Sequence, residues 1–321
     1  MANGQMSLAE ALLHPKLGMN HRLDAIDAAI DWAPLGALAV KAQAPRDVGR
    51  RPYGALPLLK ALYLQMLYGL SDPALEEALA DRLSFRRFCG YRLDDPTPDE
   101  TTICRFRNEL MAQNALAECF AAVNAQLDRQ GLILRKGTIV DASIIASASR
   151  KPDMKEGKAA KVAREKGAAW TRKNGRSYFG YRIHIGADQG SNLIRRVALT
   201  PANINESSVA DALICGDERA VYGDKGYENK HRRLRLRQAG IKDRICHRSH
   251  KNQDKLPHWQ VRRNAGIAKR RAPGEGIFGT MKRGFGFVRA RYRNFAANVA
   301  DAFRFATVFN LRRAASLLTP A

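Results

Sequence analysis

The chain has 321 residues, 45% of them hydrophobic, and a formal net charge of +23, which describes a folded protein of one large or two ordinary domains with a real core. The longest apolar stretch, LPLLKALYLQMLYGL from Leu56 to Leu70, is interrupted by Lys60 and Gln65, and the N-terminus MANGQMSLAEALL carries no basic leader; a cytoplasmic protein with no membrane partner is expected. Cys89, Cys104, Cys119, Cys215 and Cys246 are scattered with no CxxC pair, which argues against zinc and against a disulfide framework.

In chain order, Leu56, Leu59, Tyr63, Met66, Leu67 and Leu70 recur at helical spacing. Asp72-Pro73 with Glu76 and Glu77 reads as an N-cap opening a second helix through Leu83, and Thr97-Pro98-Asp99-Glu100 as a capping box opening a third, TTICRFRNEL. Arg105 and Arg107 on that helix read either as DNA-groove contacts or as exposed arginines of a bundle. After a helix from Asn114 to Arg129 the period changes. TIVDASIIA (138–146) suits a buried strand, YFGYRIHIGA and LIRRVALT a hairpin closed by DQGSN, NESSVADALIC a helix, and RAVYGD a short strand ending on a carboxylate. The segment 149–177, rich in Lys, Arg, Gly and Ala, is expected to be a basic arm without a core of its own. Val299–Leu318 has helical apolar spacing and should close the core.

The charge is unevenly placed. Residues 1–125 hold 13 Lys and Arg against 15 Asp and Glu, whereas residues 126–321 hold 41 against 16. So basic a segment calls for a polyanion, nucleic acid being the commonest, unless it is only a solvated face. From Lys255 to Ala300 there are eleven Lys or Arg, and Glu275 is the only acid.

Asp141 lies inside an otherwise apolar strand, where an unpaired carboxylate costs several kcal/mol. Asp224 ends another strand, and if the two strands are neighbours the acids converge. Their joint ionisation then calls for a divalent cation, and oxygen ligands favour Mg²⁺ or Mn²⁺ over zinc. Glu275 is the natural third ligand, or else a surface counter-charge. Lys225 and Tyr227 beside Asp224 either touch a DNA backbone or are a surface lysine and a packing tyrosine. Arg289 and Arg291, with Arg293, alternate with aromatics in FGFVRARYRNF, an arrangement that serves base stacking or simple packing equally. His184 reads as a packed or surface residue. His247, His250 and His258 lack a zinc frame. Arg232, Arg233, Arg235 and Arg237 read as a phosphate track or a solvated face.

At these residues the chain resembles bacterial DDE transposases, specifically the insertion-sequence family numbered five. TIVDAS, AVYGDKGY and the Glu275 segment look like its three catalytic blocks, and LSDPALEEALADRLSFRRFCG, PDETTICRFRNEL, SYFGYRIHIGAD and FGTMKRGFGFVRARYRN like its other segments. The resemblance implies an α/β fold, an RNase H-like mixed sheet flanked by helices with an N-terminal all-helical domain (1–130) and a catalytic domain (131–321) carrying a basic insertion at about 228–270. It also implies binding of terminal inverted repeats as a homodimer on double-stranded element-end and target DNA, and hydrolysis and strand transfer with two Mg²⁺ ions, Mn²⁺ substituting. Asp141, Asp224 and Glu275 match the catalytic acids. Arg271 and Lys282 match phosphate-contacting positions of a related signature, although Ala268 replaces its tyrosine and Pro273-Gly274 should start the helix after Arg271. A nuclease that does not join DNA, and an inactive DNA-binding regulator, are the alternatives.

Overall fold

A computed structural model describes residues 18–45, 52–149, 165, 167–249 and 255–319. Among the described residues seven helices come first: α1 (His21–Ala28), α2 (Ala33–Ala42), α3 (Ala55–Tyr68), α4 (Asp72–Asp81), α5 (Leu83–Cys89), α6 (Glu100–Ala112) and α7 (Ala115–Arg129). Two starts differ from expectation. Ser71, not Asp72, caps α4 by accepting from the Ala74 N–H, and Asp99, not Thr97, caps α6 by accepting from the Thr102 N–H. In both cases a residue just outside the first turn has an oxygen aimed at the free amides, which releases Asp72 for another partner.

The chain then builds a six-stranded mixed sheet from β1 (Thr138–Ala146), β2 (Ala169–Lys173), β3 (Arg176–Asp188), β4 (Ile194–Pro201), β5 (Ala220–Gly223) and β6 (Lys242–Ile245). β1 pairs antiparallel with β3 and parallel with β5, and β5 parallel with β6. β2 and β4 both pair antiparallel with β3, along residues 176–180 and 181–187 respectively. This is an RNase H-like α/β sheet. Part of the expected basic arm is therefore strand: Asn174 and Gly175 both have positive φ (50° and 75°), the turn that closes a two-residue hairpin between β2 and β3. Residues 150–164 and 166 of that arm lie outside the described residues.

Four further helices lie among the described residues: α8 (Glu206–Leu213), α9 (Lys230–Gln238), α10 (His258–Gly279) and α11 (Phe295–Leu318). The first part of the segment expected as a basic insertion thus forms α9 and the edge strand β6. In α9, Arg232 is buried, with Nε 2.7 Å from Asp211 Oδ1 and Nη1 2.6 Å from the Tyr227 carbonyl. Arg233 pairs with Asp243 and Glu228, and Arg235 with Asp211. These arginines hold α9 to its neighbours.

α11 packs on α7, α1 and α3 and also on β4, so one hydrophobic core runs from the N-terminal helices into the sheet. Buried Asn310 pins that junction. Its amide accepts from the Ile194 N–H (2.8 Å) and donates to the Ile194 carbonyl and Asn124 Oδ1 (both 2.7 Å). No described helix is long and apolar enough to cross a membrane.

Candidate active site

β1 and β5 pair at Thr138↔Val221 and Ile139↔Tyr222, and β5 ends at Gly223. That register, continued by two residues past the end of the ladder, runs to Asp141 and Asp224, and the Asp224 charge acts on Asp141. Asp141 Oδ1 accepts from the Ala142 N–H (2.8 Å) and Oδ2 from Arg271 Nη2 (3.2 Å). Burial raises its pKa, Arg271 and the Ala142 amide oppose, and the Asp224 charge pushes up again, leaving it above the usual carboxylate range. Asp224 leaves β5 at its C-terminal end, where α/β sheets place their sites, and caps a short 3-10 turn (Lys225–Tyr227) through the Gly226 N–H, 2.7 Å from Oδ1.

The third acid comes from α10, which runs unbroken through Pro273-Gly274; the expected helix start at Pro273 is not found. Packing overrides local preference here. Pro273 is on the exposed side of α10, where loss of one amide donor does not leave a polar group in the core. Gly274 lies against β1, where an added Cβ would come within 3.0 Å of Ile139 Cγ2. Arg271 and Glu275 are consequently one helical turn apart on a single face. Arg271 reaches Asp141, and Glu275 is exposed. A π-helical turn, Thr280–Gly284, follows and carries half-buried Lys282, an element frequent at functional sites. Burial, then the charge of Lys173 at the end of β2, lowers the Lys282 pKa. Lys173 also acts on Asp141, so one lysine charge is felt by both Lys282 and Asp141.

The ligand oxygens of Asp141, Asp224 and Glu275 are not all within 4.8 Å of one another, as expected for like charges with a guanidinium lodged beside one of them. The oxygen-only donor set and the buried carboxylate drawing a cationic partner nevertheless fit a hard divalent ion. Among the described residues only Cys215, Asp217 and Glu218 gather ligand atoms that closely. Those acids are already engaged: Asp217 by Arg135 and Arg195, Glu218 by the amides of Cys215 and Gly216.

Several expected DNA contacts are placed elsewhere. Tyr227 is fully buried, in a cluster with Val140, Val221 and Leu236, so it does not reach a backbone. Arg107 is 5% exposed and forks onto Asp72, because α6 turns it into the helical core. Arg291 points inward and donates to the Leu70 carbonyl (3.1 Å). Phe285 and Phe287 are buried, so packing, not stacking on bases, explains those aromatics. Lys225, Arg105 and Arg289 are exposed, and Arg289 bridges to Ala146 at the end of β1. His184 is buried against Thr200 Oγ1 (2.9 Å), its pKa lowered by burial to about 4. Of the other histidines, His247 stacks edge-on with Trp259, and His250 lies outside the described residues.

Sequence reasoning missed three residues beside the site: Lys173, Arg182 and Glu206. Glu206 accepts from Arg182 Nη1 at 2.8 Å and shares the field of Asp224 and Asp141. The only signal for them was one acid at a helix start and cations on strands, which is indistinguishable from surface charge.

Residues 12–109 match the family described as "Transposase domain (DUF772)", and residues 134–311, more than half the chain, match "Transposase DDE domain". The cryo-EM structure of the piggyBac transposase synaptic complex with hairpin DNA is similar over 94% of this chain and 73% of that one, at 10% identity and a TM-score of 0.46. With a family match that spans the sheet, both aspartates and Glu275, the chain belongs to the DDE transposase family, enzymes that act on DNA.

Proposed function

We propose that this transposase serves an insertion sequence: it binds the element's terminal inverted repeats, cuts the phosphodiester at each end and joins the freed 3′-hydroxyl to target DNA. Asp141, Asp224 and Glu275 are the residues that hold divalent ions, Mg²⁺ with Mn²⁺ as substitute. Bound there, such ions supply Lewis-acid stabilisation of the scissile phosphate and a more nucleophilic water or 3′-hydroxyl. What supports this reading is the β1–β5 register, which runs toward Asp141 and Asp224, together with Arg271 on Asp141 and Glu275 one turn further along α10.

The chain's own groups divide the remaining work. Burial and the neighbouring Asp224 make a cation at Asp141 favourable. Lys282 and Lys173 neutralise phosphates at the cleft, and Arg271 is free to move from the carboxylate to a phosphate oxygen once another cation replaces it. Arg289 and Lys225, both exposed, extend the contact along the duplex, and Arg105 is assigned to DNA contact from the helical region. Residues 1–130 act in end binding or dimerisation and 131–321 in catalysis. Holding two ends together calls for a homodimer on DNA, in the cytoplasm.

The test is cleavage of end-sequence duplex in Mg²⁺ by the wild type and by Asp141→Ala, then joining of pre-cut ends. Metal-dependent nicking lost in the variant supports the site. Nicking that survives the substitution removes Asp141 from it, nicking without joining makes the protein a nuclease, and binding without nicking makes it a regulator.

A further inference from the structure

A recess of about 240 Å³ lies between α10, the last turns of α11 and the Asp188–Asn192 turn. Pro273, Gly276, Ile277 and Thr280 form one wall, Arg312, Arg313 and Ser316 another. With about 3.6 residues per turn, these α10 positions occupy the face opposite Arg271 and Glu275. Pro273, Gly276 and Ser316 are exposed, so the recess opens to solvent.

No carboxylate lines the recess, but two guanidinium groups do. Arg312 is half-buried over the Phe285 ring, 5.8 Å from its centroid, and its guanidinium has no hydrogen bond or ion pair among the described residues. An added Cβ at Gly284 would come within 3.2 Å of its Nη1, so the side chain is packed against the π-helical turn. Arg313 is anchored through Nε, which donates to the Ser191 carbonyl (2.7 Å), and its terminal nitrogens have no partner among the described residues. Burial, then the charge of Arg22 on α1, lowers the Arg312 pKa, and no acid opposes them. Asp188, the acid of the turn, is already satisfied by the Leu134 and Arg135 amides and the Ser191 hydroxyl. Asn192 completes the wall with a buried Oδ1 that has no partner; half a turn of its amide brings the NH₂ to the same place. A half-buried cation without a counter-charge is costly, and an anion in the recess relieves it.

The surroundings suit a polymer of phosphates. Lys269 and Arg262 stand about one and three helical turns before Pro273 on the same face, both exposed and neither in an ion pair among the described residues. Glu275, the only acid of α10, faces the other way. A small free anion would use the recess alone, whereas a row of cations leading into it fits consecutive backbone charges. We propose that the recess is a DNA phosphate site separate from the catalytic one, in which Arg312 and Arg313 grip one phosphodiester of a strand that runs on past Lys269 and Arg262. This rests on the reading of the chain as a DNA-binding protein and not on the metal centre.

The test is binding of a fluorescent DNA duplex by the full-length protein in EDTA at several salt concentrations. The variants are Arg312→Gln, Ser316→Glu and, as a control for net charge, Lys242→Gln at the exposed start of β6. Loss of one phosphate contact lowers the slope of log affinity against log salt by about one. Arg312→Gln should show that change, so that its affinity deficit shrinks about threefold between about 50 and 200 mM salt. Ser316→Glu sets an acid at the mouth of the recess, outside the core, and should bind about tenfold more weakly at low salt. Lys242→Gln should match wild type. A wild-type slope in Arg312→Gln, an equal fall in Lys242→Gln, or unchanged affinity in Ser316→Glu overturns the proposal and leaves DNA binding standing. Calorimetric titration with inorganic phosphate separates the remaining source. Uptake that needs Arg312 while DNA affinity does not makes the recess a free-anion site and overturns the DNA assignment. No duplex binding by the wild type overturns the DNA-binding reading and this proposal together.

Discussion

Two buried charge clusters in this molecule use the same residue types to opposite ends. Between the helices, Arg107 forks onto Asp72 (2.6 and 2.9 Å) and Gln65 donates to the same carboxylate (2.6 Å). Gln65 in turn accepts from Arg304 (2.7 Å), which binds Asp301. Burial alone would raise the Asp72 pKa, but the Arg107 and Gln65 hydrogen bonds pull it below the usual carboxylate range. By contrast, Asp141 and Glu206 each have a single guanidinium contact, and burial leaves both raised. The first cluster is electrostatically closed and ties α3, α4, α6 and α11 together. The second leaves its carboxylates above the usual range, the state that a bound cation would relieve on the proposed reading of the site.

Asp72→Ala should show the largest effect. It strands the nearly buried Arg107 guanidinium, and loss of one partner from such a pair destabilises by about 3–5 kcal/mol, readable by urea unfolding. Asp141→Asn should do the reverse in the metal-free protein, leaving neutral-pH stability unchanged or higher. Equal losses in the two variants would erase the distinction between the clusters.

Arg271→Ala sharpens it through pH. Without the guanidinium, the folded-state pKa of Asp141 rises further above its unfolded value. A carboxyl with a raised folded pKa contributes stability below the unfolded pKa and loses it as pH rises through the folded one. The deficit of Arg271→Ala against wild type should therefore be small near pH 4 and reach about 1–3 kcal/mol at neutral pH. A deficit independent of pH would mean that Arg271 acts by packing alone.

Lys173→Ala and Lys282→Ala should give the smallest change. Stability stays within about 0.5 kcal/mol, DNA binding weakens, and each lowers the slope of log affinity against log salt by about one. An unchanged slope for either would remove that lysine from the phosphate path.

Much of this was present in local sequence. The helical spacing of α3, the β-branched run of β1, the Asp188–Asn192 turn and the apolar α11 all follow from short-range periodicity, and Asp141 was conspicuous because a carboxylate in an apolar strand needs a partner. Asn174-Gly175 carried a hairpin signal too, but it lay inside a basic composition that hid it. Arg107 and Arg105 differ by two positions on one helix, and no local feature says that the first forks onto Asp72 while the second faces water; that depends on which side of α6 meets α4.

The sequence by itself determined the type of most elements outside the basic segments, the residues able to bind a hard cation and the excess of positive charge that seeks a polyanion, because these depend on neighbours within a few positions or on composition alone. Tertiary structure decided the rest. The parallel pairing of β1 with β5 puts the strands that carry Asp141 and lead to Asp224 side by side, contact of Gly274 with Ile139 accompanies α10 straight through Pro273, and the fold pairs Arg182 of β3 with Glu206 of α8. Each of these joins residues distant in the chain, where packing energy outweighs local propensity.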